Sequence, residues 1–228
     1  MRDLLVVTPS RGRAARLKVM LDATLSLAQA QTDVAVALDD DDPDMPGYTE
    51  LRSQYPQVHW HTGPRRSIAT WMNGISVAAV PDYRAFAAFG DDHVPRTGGW
   101  DRLLLDAISA MGGTGIAYGA DGIMETLATA PVISSDIVGA LGWMCLPGLD
   151  HYCIDNVWGD LGRGAGCFTR LPGVLVEHMH PIVGKAPNDA TYDSAGGYYI
   201  GCPDHQVYQQ WQAAQMAGDV ATVKGLRG

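Results

Sequence analysis

Two aspartates and two histidines in this sequence have the spacing of metal ligands. Asp91 and Asp92 follow the apolar segment 85–89 after Gly90, and adjacent carboxylates that leave a buried strand repel each other unless a cation offsets their charge. Mg²⁺ and Mn²⁺ bind one or two carboxylates together with substrate phosphates. His178 and His180 share one face of a strand, and H-x-H spacing suits a metal. A turn or a helix cap is the alternative role for the two aspartates.

Arginines stand where two expected helices begin. Arg11 and Arg13 follow the first apolar run, and Arg65 and Arg66 precede the second of these helices. A cation at a helix N-terminus opposes the helix dipole. A bound phosphate would remove that conflict, because free amide groups and guanidinium groups both bind anions. Solvation, or pairing with nearby aspartates, is the alternative.

A run of four aspartates, 39–42, ends the second apolar segment. Asp42 and the following Asp44 suit a turn, because Asp side chains readily hydrogen-bond their own backbone there. Asp39 is the last residue of the expected strand. It is therefore the candidate for a hydrogen bond to a base or a ribose.

Alternating strands and helices must position these groups. The apolar spacing predicts strands at 3–8, 33–38, 58–61, 84–89 and 171–180, and helices at 14–29, 48–55, 67–79, 99–111 and 204–216. Such alternation is typical of a three-layer α/β fold with a mostly parallel sheet. Ligands of these folds bind at the carboxyl ends of the strands, and the arginine loop, Asp39 and the Asp91-Asp92 pair all follow strands.

The composition limits the class of protein. The 228 residues are 46% hydrophobic and 18% charged, which excludes a disordered chain. No apolar run is long enough for a transmembrane helix, and the run before Arg11 is too short for a signal peptide, so a cytoplasmic location is expected. The net charge of −9 argues against a broad nucleic-acid surface. The four cysteines lack C-x-x-C spacing and are expected to be buried thiols.

In their order along the chain, these motifs resemble the GT-A glycosyltransferases, which transfer a sugar from a nucleotide-sugar. The resemblance covers roughly residues 3–192. VVTPSRGR is similar to the family's first strand and nucleotide loop, which implies that Thr8, Pro9, Arg11 and Arg13 bind the donor. VAVALDD is similar to the second strand, whose aspartate, here Asp39, holds the base.

The next stretch resembles the family's donor helix and its D-x-D strand end. It runs from Arg66 through Asn73 to the segment GDDHVPRTGGWD. Gly90 stands in place of the first aspartate, Asp91 is the middle residue, and Asp92 is the metal-binding aspartate. The resemblance therefore adds Arg66, Asn73 and Asp91 to the donor-binding residues.

The C-terminal half extends the resemblance. HYCIDNVWGDLGR places Asp155 at the start of an expected helix, as with the catalytic base of inverting members. EHMHPIVGKAP is similar to the donor-site segment of metal-dependent members. It implies that His180 binds the metal, with His178 as the alternative ligand, and that Lys185 reaches the diphosphate.

The resemblance also implies an organisation and a set of ligands. One GT-A domain would span residues 1–228, with a nucleotide-sugar donor half over about 1–112 and an acceptor half with a C-terminal helix over about 113–228. The donor would be a UDP-sugar, the acceptor a hydroxyl group, and the cofactor Mn²⁺ or Mg²⁺, with no membrane involved. The stereochemistry stays open, because a retaining enzyme would need no base such as Asp155.

More narrowly, GDDH-x-P-x-T-x-GWD, DNVW and EHxHP resemble small glycosyltransferases encoded by actinobacterial bacteriophages, some of which modify hydroxymethylated bases in phage DNA. The 13 arginines against three lysines fit such a genome. This resemblance implies the host cytoplasm and a 5-hydroxymethylated base as acceptor, with a glycan or a protein as the alternative. A DNA acceptor requires a local basic surface, for which the candidates are Arg96, Arg102, Arg163 and Arg170.

Two other classes of protein stay open. A nucleotidyltransferase also uses a loop after its first strand and paired aspartates on a metal. Its loop is usually richer in glycine and carries a lysine that TPSRGR lacks. A non-catalytic nucleotide-sugar-binding module would leave Asp155 and the HMH segment without a role.

Overall fold

The computed structural model of the protein describes residues 1–188 and 201–228. Within them, the strands form one continuous sheet. They are β1 (Arg2–Ser10), β2 (Thr32–Asp39), β3 (His59–Gly63), β4 (Tyr83–Ala88), β5 (His93–Pro95), β6 (Ile116–Ala120), β7 (Pro131–Ser134) and β8 (Phe168–His178). The helices are α1 (Ala14–Leu27), α2 (Met45–Gln54), α3 (Ile68–Ala79), α4 (Trp100–Ala110), α5 (Ser135–Leu141), α6 (Ile154–Ala165), α7 (Pro203–Ala214) and α8 (Met216–Gly225).

The sheet confirms the predicted α/β class. Its strand order is β3-β2-β1-β4-β7-β6-β8-β5. Pairing is parallel between β1 and β2, β2 and β3, β1 and β4, and β6 and β8. It is antiparallel where β7 joins β4 and β6, and where β5 joins β8. The sheet is therefore mostly parallel, with its antiparallel pairs in the half that follows β4.

Helices cover both faces of the sheet and bury its two sets of side chains. In β1, Leu5 and Val7 belong to one core and Leu4 and Val6 to the other, as the two-residue period of a strand requires. The first core is completed by α3, α5, α6, α7 and α8. The second core is completed by α1, α2 and α4. These are the three layers that the sequence predicts.

The structure differs from the sequence prediction mainly after β4. The short strands β5, β6 and β7 and the helix α5 were not predicted, and the C-terminal helical segment consists of α7 and α8. β8 ends at His178, so His180 lies beyond the strand on which it was predicted. Cys145, Cys153 and Cys167 are buried free thiols as expected, whereas Cys202 is only partly buried. Among the described residues, no helix has the length and apolarity needed to cross a membrane.

Gly119 allows β6 and β8 to approach closely where their register is irregular. The pairing passes from Gly119–Leu171 directly to Ala120–Leu175. A Cβ at Gly119 would overlap the backbone carbonyl oxygen of Val174, which cannot move aside as a flexible side chain could. The glycine therefore fixes the path of the strand that ends at His178.

Gly119→Ala is expected to destabilise the fold by about 1–3 kcal/mol, the usual range for overpacking a core. Gly173→Ala is the matched control, because a Cβ at Gly173 would meet no atom within 4 Å. Denaturant unfolding followed by circular dichroism measures both. Equal unfolding midpoints for the two variants would contradict the close approach of β6 and β8.

Candidate functional site

A cleft of about 1420 Å³ opens at the carboxyl ends of β1, β2 and β4. It is lined by residues that follow these strands, by the start of α6 and by the end of β8. Pockets for a single small ligand are usually about 300–1,000 Å³. The cleft therefore has room for two substrates side by side, at the sheet edge where α/β folds bind ligands.

Asp91 lies at the base of the cleft in a buried hydrogen-bond network. Its Oδ2 accepts from Ser10 Oγ at 2.6 Å, and its Oδ1 accepts from an Arg13 guanidinium nitrogen at 3.2 Å. The Tyr48 hydroxyl lies 2.8 Å from Ser10 Oγ and also accepts the Arg13 backbone amide at 3.0 Å. Burial and the neighbouring charge of Asp92 raise the pKa of Asp91, and the Arg13 guanidinium opposes that rise. The network holds this carboxylate in one position.

Asp92, His93 and His178 form a cluster that could hold a metal ion. One ligand atom from each lies within 4.8 Å of the others. Asp92 Oδ2 is 3.7 Å from His178 Nε2, and the two imidazole rings stack with centroids 4.3 Å apart. The antiparallel pairing of β5 with β8 places His93 directly opposite His178. An oxygen and two imidazole nitrogens are a donor set that suits a divalent transition metal.

The two histidines of this cluster differ in how readily they could bind a cation. His93 Nδ1 accepts the Gly90 backbone amide at 2.9 Å, and its Nε2 is buried with no hydrogen-bond partner among the described residues. Ligation through Nε2 requires the ring proton to sit on Nδ1, which would break the bond from Gly90. Burial lowers the pKa of His93, so its ring is neutral, as ligation requires. His178 has no such competing bond in the described structure, and with Asp92 it is the better-prepared ligand.

His180, the metal ligand favoured by the sequence resemblance, lies outside this cluster. It lines the cleft, but its Nδ1 accepts the Ile182 backbone amide at 3.1 Å and caps a short 3₁₀ turn, Pro181–Val183. Gly90, which stands in place of the family's first aspartate, also has a structural explanation. A Cβ at Gly90 would lie only 2.6 Å from Asp92 Oδ1 and 2.9 Å from His93 Nδ1.

Asp39 joins the ends of β1 and β2 to the start of α3. Its Oδ1 accepts from Trp71 Nε1 at 2.9 Å and from the Arg66 amide at 3.2 Å, and its Oδ2 accepts from the Arg11 guanidinium at 3.0 Å. Arg11 also contacts Asp41 at 2.5 Å. Arg11 and Arg13 are thus paired with aspartates, the alternative that the sequence left open. Trp71 was predicted only as a core residue because it shares the apolar face of its helix.

Arg65 and Arg66 line the same cleft just before α3. Both are exposed, and neither forms an ion pair with a residue that the structure describes. The Arg66 guanidinium lies 5.0 Å from the centre of the Trp71 ring, a cation–π contact. These two arginines therefore retain charge for an anion at this end of the cleft.

Asp155 lies in the first turn of α6 and lines the cleft. Its Oδ1 accepts the Asn156 backbone amide at 2.9 Å. Burial raises the pKa of Asp155, and the backbone hydrogen bond offsets part of the rise. His151 and Tyr152 line the cleft beside it, and His151 was not predicted as a site residue. A partly buried carboxylate with a raised pKa is suited to accept a proton.

Three residues predicted to bind the donor do not line the cleft. Thr8 is fully buried within β1. The Asn73 side chain donates to the Cys145 carbonyl at 2.8 Å and accepts the amides of Met144 and Cys145, so it ties α3 to that loop. Lys185 forms an ion pair with Glu177 at 2.9 Å. The other predicted donor residues, namely Pro9, Arg11, Arg13, Asp39, Arg66 and Asp91, do line the cleft.

The four arginines proposed as a basic surface are each paired with a carboxylate. Arg96 contacts Glu177 at 2.8 Å, Arg102 contacts Asp3 at 3.6 Å, Arg163 contacts Asp160 at 3.1 Å, and Arg170 contacts Glu125 at 3.7 Å. None of the four lines the cleft. Their positive charge is therefore largely balanced by neighbouring acids.

Solved structures of other proteins share this fold. TarS from S. aureus in complex with UDP-GlcNAc matches with a TM-score of 0.65 and 8% identity, over 95% of this chain and 66% of that chain. A mannosyltransferase from Pyrobaculum calidifontis in complex with GDP-Man and Mn²⁺ matches with a TM-score of 0.55 and 10% identity, over 99% and 75% of the two chains. A cytidylyltransferase from Leptospira borgpetersenii matches with a TM-score of 0.53 and 15% identity, over 75% of each chain.

These likenesses define the fold, while the activity must be argued from the site. No protein-family model matches the sequence, and no curated protein matches it either. This chain spans 60% of the TarS chain in another of its crystal structures, so it is well short of that protein's length. The structure has the GT-A fold of the nucleotide-diphospho-sugar transferases, as the sequence resemblance implied.

Proposed function

We propose that this protein is a metal-dependent glycosyltransferase that moves a sugar from a nucleotide-sugar to a hydroxyl acceptor. One observation carries the proposal: the Asp92, His93 and His178 cluster, the Arg65 and Arg66 guanidinium groups, and the Asp155 carboxylate all line one cleft. A binding module would need no such carboxylate in the same cleft as a metal cluster. The donor half proposed for residues 1–112 supplies the arginines, and the acceptor half supplies Asp155.

The proposed donor site lies along the ends of β1 and β2. Arg65 and Arg66 bind the diphosphate, because their guanidinium groups are exposed to the cleft and form no ion pair among the described residues. Asp39 and Trp71 shape the wall where the base and ribose lie, and Pro9 closes it. We favour a UDP-sugar donor.

A divalent cation, Mn²⁺ or Mg²⁺, held by Asp92 and His178 with His93, would stabilise the negative charge that develops on the leaving nucleoside diphosphate. Asp91, fixed by Ser10 and Arg13, lies next to these ligands and keeps the turn after β4 in place. His93 stacks on His178 and fixes the orientation of that ring.

Asp155 acts as the general base in this proposal. Its carboxylate accepts the proton from the acceptor hydroxyl as that oxygen attacks the anomeric carbon from the face opposite the leaving group. The product therefore has the inverted anomeric configuration. The bond from the Asn156 amide holds the carboxylate in place, and the start of α6 favours its charged form through the helix dipole.

The rate of transfer is expected to fall on acidification with a midpoint above the ordinary aspartate value of 3.8, because burial raises the pKa of Asp155. Only the ionised carboxylate accepts a proton, so activity is present above the raised pKa and lost below it. The profile is measured as kcat at saturating donor and metal, with donor affinity followed at each pH to separate protonation of the metal cluster. An acidic limb that persists unchanged in Asp155→Asn would assign it to another group.

The acceptor that the phage resemblance suggests is a 5-hydroxymethylated base. Such a base must leave the duplex stack to reach Asp155, and the paired state of Arg96, Arg102, Arg163 and Arg170 gives little support for a phosphate-binding surface around it. The enzyme, Mn²⁺ and several nucleotide-sugars are incubated with DNA that contains 5-hydroxymethylcytosine or 5-hydroxymethyluracil, and in parallel with glycan and protein acceptors. Mass spectrometry of the digested products then identifies the acceptor. A sugar adduct in any arm supports the transferase, and an adduct on the base alone supports the DNA acceptor.

A further inference from the structure

One buried carboxylate outside the cleft holds the loop that leads into α6. Asp204 lies in the first turn of α7 and is buried. Its Oδ1 accepts the Asp150 amide at 3.0 Å, and its Oδ2 accepts the amides of His151 at 2.8 Å and Tyr152 at 2.6 Å. Three consecutive amides on one carboxylate fix the backbone of this loop, because each bond to a charged acceptor is stronger than a neutral one.

The loop then enters α6 through an unfavourable backbone conformation. Cys153 has a φ of 65° and is the only non-glycine residue of the described chain with a positive φ. An L side chain adopts this left-handed conformation only when the surrounding structure imposes it. Asp155 follows two residues later, in the first turn of the helix. The direction of its carboxylate therefore depends on how the loop is held.

Other residues of α7 form hydrogen bonds to the middle of α6 rather than to the loop that leads into it. The Tyr208 hydroxyl donates to Asp160 Oδ2 at 2.5 Å, and Gln212 donates to the same oxygen at 2.8 Å. They join the two helices one and a half turns beyond Asp155. The hydrogen bonds of Asp204, in contrast, reach the entry loop.

We infer that Asp204 is a positioning residue: it holds the loop 150–153 and so aims the carboxylate of Asp155 at the acceptor hydroxyl. The inference rests on the proposed transferase function. It adds α7 to the elements on which catalysis depends, although α7 contributes no residue to the wall of the cleft.

Asp101 offers a matched control at the amino end of β2, whereas the cleft lies at the carboxyl ends of the strands. It is fully buried and accepts the amides of Gln29 and Ala30 at 2.9 Å each, together with the Thr32 hydroxyl at 2.6 Å. It therefore clamps a loop in the same way, in the first turn of α4, but does not line the cleft. Asp101→Asn and Asp204→Asn are both expected to lower the melting temperature.

Steady-state kinetics and hydrogen exchange on the full chain separate the two roles. Asp204→Asn is expected to lower kcat by about 10- to 100-fold, the scale of a small displacement of a catalytic group, with the donor KM unchanged. Asp101→Asn is expected to keep kcat per folded molecule. Amide exchange measured by mass spectrometry should rise over residues 150–158 in Asp204→Asn alone.

Equal losses of kcat in the two variants, or unchanged exchange over 150–158 in Asp204→Asn, would overturn the positioning role. A wild-type protein that transfers no sugar would instead contradict the proposed function. The exchange measurement would still decide whether Asp204 holds the loop, because it needs no substrate.

Discussion

Asp155→Asn is expected to lower the rate of sugar transfer by roughly 10²–10⁴-fold, the usual contribution of a general base, and to leave donor binding unchanged. The amide has nearly the same shape as the carboxylate but cannot accept the proton of the acceptor hydroxyl. Asp155 belongs to α6, whereas Arg65 and Arg66 precede α3, so we expect the donor to keep its contacts with these arginines. The rate is measured at saturating substrates, and donor affinity by calorimetry.

The exposed Asp106 on α4 supplies the control for this experiment, since Asp106→Asn removes the same charge at a residue that does not line the cleft and should leave the rate unchanged. Near-normal turnover of Asp155→Asn would remove it as the base. A product with the donor's own anomeric configuration would favour a retaining reaction.

Asp92→Asn is expected to abolish the metal dependence of donor binding while the protein stays folded. The substitution removes the one carboxylate of the proposed metal cluster, and Arg13 keeps its pairing with Asp91 at 3.2 Å. Calorimetry with a UDP-sugar should show that Mn²⁺ strengthens binding to the wild type and has no effect on the variant. Circular dichroism checks that the fold is intact.

The two histidines that the sequence left as alternatives give a matched pair for the same measurement. His178→Ala is expected to lose the effect of Mn²⁺, because His178 belongs to the cluster. His180→Ala is expected to keep it, because that ring lies outside the cluster and caps the Pro181–Val183 turn. Unchanged donor affinity with Mn²⁺ in Asp92→Asn, or the reverse order for the two histidines, would contradict the assignment.

The first half of the fold was predictable because its strands and helices carry clear periodic patterns. Apolar spacing of 3.6 residues defines α1, α3 and α4, and short apolar runs define β1, β2 and β4. The strands β5 and β7 are three and four residues long and include prolines, so no periodicity marks them. Their antiparallel pairing joins segments that are far apart in the chain, which local pattern cannot reveal.

The sequence indicated which residue types belong to the site better than it indicated which of these residues contact each other. The Asp91-Asp92 pair and Asp155 could be singled out because charged residues follow strands or begin a helix. Their partners depend on tertiary structure: Arg13 meets Asp91 across 78 positions, and His93 meets His178 only through the register of β5 with β8. Asn73 was singled out by its residue type as well, but its side chain binds a loop instead of lining the cleft. A polar residue on a helix can do either.

The identity of the nucleotide leaving group distinguishes a glycosyltransferase from a nucleotidyltransferase. The protein is incubated with Mn²⁺ and UDP-sugars, and the nucleotide products are separated by chromatography, with CTP or UTP and a sugar phosphate in parallel reactions. We expect UDP to be released from the UDP-sugar, and the release to be lost in Asp92→Asn. Release of pyrophosphate from the nucleoside triphosphate, with no UDP from any nucleotide-sugar, would contradict the account and assign the site to a nucleotidyltransferase.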